Sequence, residues 1–115
     1  MTYFFDTSAL NIPFLIHKLK SKHPDILANS IVVSSISLRH IFPFNFKKLS
    51  NKFIIWNYIN KDNFNLPLND DIKVLMTAID YEKNNSPDNM VYVTHNITLA
   101  HLANHYFGDD SILVI

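Results

Sequence analysis

Apolar residues in this chain fall into two alternating patterns. Short continuous runs rich in β-branched and aromatic side chains read as strands: residues 2–5, Ile31-Val32-Val33, Met90 to Val93, and Ile112 to Ile115 at the C-terminal end. Between them, apolar positions recur at helical spacing. Leu15, Ile16 and Leu19 form a stripe on a helix that Pro13 can start and that runs to about residue 22, where Pro24 stops or bends the chain. Ser34-Ser35 is a good N-cap pair for a short helix over Ile36 to Phe42, closed by Pro43. Leu49, Phe53, Trp56 and Asn60 mark one side of a helix near 47–60, with Ile55 and Ile59 widening its apolar arc, and Pro67 breaks the chain again. Ile72, Leu75, Met76 and Ile79 then fall at i, i+3, i+4 and i+7 behind Asn69-Asp70-Asp71, an amphipathic helix. Asn84 to Asn89, with Pro87, is a loop. Thr94-His95-Asn96 turns into a helix through Ala103 or Tyr106 that Gly108 terminates.

Strands alternating with helices predict an α/β fold, a three-layer α/β/α sandwich with a mainly parallel central sheet and right-handed crossovers. Neither a repeat nor a linker divides the chain, so residues 1–115 are expected to form one domain. In open parallel sheets, ligands collect outside the carboxyl ends of the strands. Three polar turns fall there: Asp6-Thr7-Ser8, Ser34-Ser35 and Thr94-His95-Asn96. Asp70 and Asp71 open a helix whose first turn can face the same edge, and a helix N-terminus favours a carboxylate.

Asp6 is the position that packing explains least. It leaves the apolar run Tyr3-Phe4-Phe5 and enters a hydroxyl-bearing turn. Burying an unpaired charge beside a core is costly, so such a carboxylate usually has a cation or a dense set of donors as partner. Asp6 and Asp71, with Asn96 and Asp70, can line one oxygen-rich pocket, and such pockets suit Mg²⁺ or Mn²⁺. Each residue also has a plain structural role open to it. Asp6 can cap the helix that follows, Asp70 and Asp71 are ordinary helix-start residues, and Thr94 and Asn96 are good turn and cap residues. Asn69 can cap the long helix and so release Asp71 for chemistry. His101 and His105 have i, i+4 spacing but no HExxH glutamate, which makes them a solvated helix face.

Composition narrows the classes. A chain of 115 residues with 48% hydrophobic and 13% aromatic residues has enough apolar matter for one packed core. Its single glycine excludes Gly-rich phosphate loops, and the lack of cysteine excludes disulfides and thiolate zinc sites. Without a bilayer-length apolar run or a secretory signal, the expectation is a cytoplasmic chain with no membrane partner. The formal charge is zero but polarised. Residues 1–61 carry eight Lys or Arg against Asp6 and Asp25, and residues 62–115 carry Lys73 and Lys83 against eight acids. Two lysine groups, Lys18, Lys20 and Lys22, and Lys47, Lys48 and Lys52, can track a phosphate backbone or simply solvate helix faces. Phe42, Phe44 and Phe46 around Pro43 are unusually aromatic for a connection. They fit the core, a subunit contact or base stacking, with core or contact preferred.

Four segments, in order, resemble the PIN-domain family, in particular the PIN part of PhoH-like proteins. Tyr3-Phe4-Phe5-Asp6-Thr7-Ser8-Ala9-Leu10 resembles the opening apolar-DTS/N-x-L element, and residues 33–41, Val-Ser-Ser-Ile-Ser-Leu-Arg-His-Ile, resemble the second strand and its SSITLREL helix. Asp71 through Ala78 resembles the D-x-x-I-L-x-x-A element, and residues 91–99, Val-Tyr-Val-Thr-His-Asn-Ile-Thr-Leu, resemble VTNDxxL. The resemblance implies a PIN-like fold and a Mg²⁺- or Mn²⁺-dependent ribonuclease cutting single-stranded RNA. In that family, acids at the carboxyl edge of a parallel sheet hold metals that activate a water for in-line attack on a phosphodiester. By position, Asp6 is the first acid and Asp71 the third, with Thr7, Ser8 and Thr94 in support. Two positions depart from the pattern: the expected glutamate is His40 and the expected aspartate is Asn96. The formal charge of the site falls from about −4 to about −2, weakening its Coulomb attraction for Mg²⁺. Asn96 keeps a carbonyl oxygen as a third ligand, and a neutral His40 can contact phosphate or act as acid or base. Three readings follow: a nuclease with a thinned site, a non-catalytic module binding RNA or a protein partner, and the toxin of a toxin–antitoxin pair. The family resemblance also implies a homodimer.

Overall fold

The computed structural model describes residues 1–59, 68–87 and 89–115. Tyr3-Phe4-Phe5 form the middle of its sheet. Strand β1 (Thr2–Phe5) is flanked by β2 (Ile31–Ser34) and β4 (Met90–Thr94); β3 (Phe53–Trp56) lies outside β2 and β5 (Ile112–Val114) outside β4. All four pairings are parallel, giving a five-stranded sheet in the order β3-β2-β1-β4-β5. Parallel strands need crossovers, and the helices supply them: α1 (Thr7–Leu10), α2 (Leu15–Lys22), α3 (Pro24–Leu27), α4 (Pro43–Leu49), α5 (Asp70–Asn85) and α6 (Ile97–Phe107).

The two-residue period of the strands divides the apolar side chains between two cores. Tyr3, Phe5, Ile31, Val33 and Val93 pack with Leu10, Leu15, Leu19, Ile26 and Leu49, which belong to α1 through α4. Phe4, Val32, Met90 and Tyr92 pack with Val74, Leu75, Ala78 and Tyr81 of α5 and Ala103 of α6. The sheet is therefore covered on both faces, which is why its central strands read as unbroken apolar runs. Phe4, Tyr92 and Phe107 stack in sequence, with ring centroids 5.7 and 5.9 Å apart. Among the described residues, no helix is long and apolar enough to cross a membrane.

Polar side chains cap the starts of α1, α5 and α6. Asp6 caps α1, Asn69 caps α5 through the Ile72 N–H, and Asn96 caps α6 through the Leu99 N–H. Gly108, at φ 82°, ends α6 in a backbone region where a side chain would be strained.

Three sequence expectations need correction. The helix expected near 47–60 is absent: Leu49 ends α4, and Phe53-Ile54-Ile55-Trp56 is the edge strand β3. Its β-branched and aromatic residues suit a strand, and the apparent helical spacing is coincidental, because Phe53 and Trp56 pack into opposite cores. Asn60 and Pro67 lie outside the described residues. The helix expected over Ile36 to Phe42 shrinks to a single 3-10 turn, Ser37–Arg39, and Pro43 opens α4 instead of closing a helix. Proline has no N–H to lose at a first helical position, so it starts helices as readily as it stops them; Pro24 does the same for α3. Phe42, Phe44 and Phe46 are not core residues; they are exposed.

Asn45 ties α4 to the segment after α1. Its buried amide donates to the carbonyl oxygens of Leu10 (2.8 Å) and Ile12 (2.9 Å). Replacing it by alanine leaves both acceptors without that donor, and a buried unmatched polar group costs about 1–3 kcal/mol. Urea denaturation of Asn45→Ala is expected to show a loss of about 2 kcal/mol with an unchanged m-value; an unshifted midpoint would mean the bridge contributes nothing.

Candidate functional site

The strand order dictates where the site lies. From β1 the chain winds outward through β2 to β3, then returns to the other side of β1 for β4 and β5. The gap between the carboxyl ends of β1 and β4 is thus the switch point, where open parallel sheets form a crevice. Asp6-Thr7-Ser8 follows β1 there, and Thr94-His95-Asn96 leaves β4 beside it. Asp6 still belongs to the ladder, its N–H donating to the Val93 carbonyl at 3.0 Å. By strand alternation it faces the same side as Phe4, the side of α5 and α6.

Asp6 is only 1% exposed and is held by neutral donors. Its Oδ1 accepts from the Ala9 N–H (3.0 Å) and the Ser8 hydroxyl (2.6 Å), and its Oδ2 takes one long contact from the Tyr92 hydroxyl (3.5 Å). Ser8 joins the two switch-point turns, because its oxygen also accepts the His95 N–H at 2.9 Å. The Ser8 and Thr94 hydroxyl oxygens lie 3.1 Å apart, which brings both beside Asp6. Thr7 shares a 2.7 Å hydrogen bond with Ser37.

Electrostatics separates Asp6 from an ordinary cap. Burial pushes its carboxyl above the usual aspartate range; hydrogen bonds from Ser8, Thr94 and Ala9 pull it back, and the negative charge of Asp71 raises it again. Asp71 is therefore close enough for the two acids to repel, although it sits exposed in the first turn of α5. The same pair, after burial, pushes the Tyr92 phenol up. No lysine, arginine or histidine pairs with Asp6 or Asp71 among the described residues; the ion pair found there is His40 Nε2 to Asp70 Oδ2, at 2.8 Å.

The remaining expected residues divide. Asp70 is engaged by His40, Nε2 to Oδ2 at 2.8 Å. Asn96 is exposed, and its side-chain oxygen accepts the Leu99 N–H at 3.1 Å, which leaves one lone pair for any ligand. Among the described residues no group of three or more His, Asp or Glu side chains converges as a metal cage. Two carboxylates with waters do fit Mg²⁺ or Mn²⁺, which bind through one or two acids and keep several waters. Lys20, Lys22, Lys47 and Lys48 are exposed and Lys18 is half-buried, whereas Lys52 donates to the Leu27 carbonyl at 2.5 Å. His101 and His105 are exposed on α6.

Tyr92 is the site residue that sequence reasoning missed. Its signal was its parity: Met90, Tyr92 and Thr94 alternate onto one face, in register with Phe4 and the approach to Asp6. Compared with protein-family models, curated proteins and solved structures, the chain matches none.

A raised carboxyl pKa has a definite stability sign. The folded state holds the proton more tightly than the unfolded chain, so the favourable contribution is full below the ordinary value of 3.8 and is lost as pH rises through the folded value. With divalent ions chelated, Asp6→Asn is expected to melt on the order of 5 °C above the wild type at pH 7. The gap should narrow as pH falls toward 4 and wild-type Asp6 takes up its proton. Thermal melts between pH 4 and 8 would contradict this if the Asp6→Asn variant melted lower throughout.

Proposed function

We propose that this chain is a metal-dependent ribonuclease of the PIN type, hydrolysing phosphodiester bonds of single-stranded RNA at the β1/β4 switch point. One observation carries the reading: the fully buried carboxyl group of Asp6 is paired with no cationic side chain among the described residues, and the negative charge of Asp71 further disfavours its ionised form. A divalent cation removes that repulsion. The parallel α/β fold with helices over both sheet faces agrees with the PIN-like three-layer architecture that the sequence resembles.

Asp6 and Asp71 would hold Mg²⁺ or Mn²⁺, with Asn96 offering its spare lone pair. Bound there, the ion supplies a lowered pKa for a water and neutralisation of charge on the phosphate. The protein's own part is preparation. Ser8 and the Ala9 N–H fix Asp6 Oδ1, which leaves Oδ2 as the lightly engaged oxygen. Thr94, through Ser8, locks the β4 turn to the β1 turn so that the crevice keeps its width. Lysines lie on the α2 and α4 segments, where they would attract a phosphate backbone.

A second reading is favoured by His40 and Asn96. They occupy positions where the resemblance expects acids, and both are otherwise engaged, His40 with Asp70 and Asn96 as the α6 cap. That arrangement suits a module that binds RNA or a protein partner without cutting.

Cleavage of a labelled single-stranded RNA with Mn²⁺ separates the two. The nuclease reading expects activity that chelation abolishes and that Asp6→Asn or Asp71→Asn lowers about 100-fold or more. Equal activity in wild type and Asp6→Asn would overturn the site assignment, and a wild type that binds RNA without cutting it would establish the second reading.

A further inference from the structure

The aromatic residues that the core leaves outside form a built surface. Pro13, Phe14, Phe42, Pro43, Phe44 and Asn45 line an apolar groove of about 340 Å³. Phe14 is 68% exposed, and Phe42 and Phe44 are each 49% exposed. Three such rings in one groove are far more than the scattered apolar residues of an ordinary surface. Phe14 also holds φ at 54°, a left-handed conformation unfavourable for a bulky residue. Strain of this kind persists where surrounding structure enforces it, and it gathers at ligand sites.

The groove is rigidly mounted, and its mount is the candidate active site. Asp6 caps the start of α1; Asn11 ends it. Asn11 donates to the His40 carbonyl and accepts the Phe42 N–H, each at 2.8 Å, and the buried Asn45 amide grips Leu10 and Ile12 from the other side. Residues 6 to 11 at helical rise span about 8 Å. The groove thus begins one short helix away from the acids, and His40, two residues before Phe42, is paired with Asp70 beside Asp71.

Charge selects the occupant. Lys47 and Lys48 lie on α4 one turn beyond Phe44, with the Lys48 ammonium 5.6 Å from the Phe44 ring centroid. Lys18 lies one turn beyond Phe14, its N–H donating to the Phe14 carbonyl. A second copy of this chain, docked symmetrically, would set these lysines against themselves. Exposed rings among lysines, with no polar group free in the groove to read an edge, match a polyanion that carries flat aromatic faces. We propose that this groove binds single-stranded nucleic acid without sequence preference, its bases stacking on Phe42, Phe44 and Phe14 and its phosphates tracking Lys47, Lys48 and Lys18. The proposal rests on the reading of RNA as substrate and adds the platform that delivers the strand to the acids.

The test is fluorescence anisotropy with a labelled 12-nucleotide oligouridylate and with an abasic strand of equal length, in chelator so that cleavage plays no part. Because the rings are exposed, Phe42→Ala/Phe44→Ala should fold, and circular dichroism checks that it does. That variant is expected to bind oligouridylate about 10-fold or more weakly and the abasic strand as wild type does. Lys47→Ser/Lys48→Ser should weaken both and flatten the salt dependence by about 1–2 in log–log slope. Asp6→Asn should bind normally, so that loss of cutting and loss of docking remain separate results. Unchanged oligouridylate binding by the phenylalanine variant overturns the proposal, as does equal weakening toward both strands. A wild type that binds neither strand also overturns it. So does a wild-type dimer that the phenylalanine substitutions dissociate, which would assign the groove to a second copy.

Discussion

A carboxylate sealed behind 1% exposure, supported only by neutral donors, is the tension around which the switch point of this fold is organised. Desolvation pushes the Asp6 carboxyl toward its neutral form, and the charge of Asp71 adds to that tendency. Three hydrogen bonds oppose it, from Ser8, Thr94 and the Ala9 N–H. An α1 cap needs only the last of these, which would be worth about 1 kcal/mol at an ordinary helix start. The additional hydroxyls, drawn from two different turns, exceed what capping asks for. A site kept poised against its own stability is a familiar signature of function.

Parity converts this tension into geometry. Each strand presents alternate side chains to α1–α4 and to α5–α6. Phe4 and Asp6, Val32 and Ser34, and Tyr92 and Thr94 fall on the α5 side, and the last polar member of each pair stands at the carboxyl edge. Ser34 spends its hydroxyl on Thr77 of α5 at 2.9 Å, which anchors that helix against β2. Because α5 connects parallel strands, it has to run back against them, and its N-terminal acids come to the same edge as Asp6. One alternation rule therefore fixes both the packing of the sheet and the meeting of the two acids.

Much of this was legible in the residues. The strands around Phe4, Val32 and Tyr92, the α5 helix, the Asn69 and Asn96 caps and the Gly108 stop all lie where periodicity and cap chemistry put them, although α5 buries Val74, Leu75, Ala78 and Tyr81 and leaves Ile72, Met76 and Ile79 of the expected stripe only half-buried. The failures have physical causes. Phe53-Ile54-Ile55-Trp56 carries both helical spacing and strand composition, and only a neighbour with an open edge, β2, decides between them. Pro43 and Pro24 can stop a helix or begin one, and local sequence does not distinguish the two. At the site, the turns carrying Asp6 and Thr94 were readable from strand ends, and Asp71 from the cap that Asn69 supplies. The Tyr92 contact, the His40–Asp70 pair and the Ser37 partner of Thr7 depend on elements about 30 to 86 residues apart in sequence and appear only in three dimensions.

The departures at His40 and Asn96 make the number of acids, more than the fold, the decisive quantity. Two carboxylates with waters can hold a hard divalent cation, so the site stands or falls on Asp6 and Asp71 acting together. Crystals soaked in Mn²⁺ and measured for anomalous scattering address this most directly. The account predicts a peak between the Asp6 and Asp71 side chains that disappears in Asp6→Asn crystals. Strong anomalous density elsewhere, with none between those two residues, would contradict it.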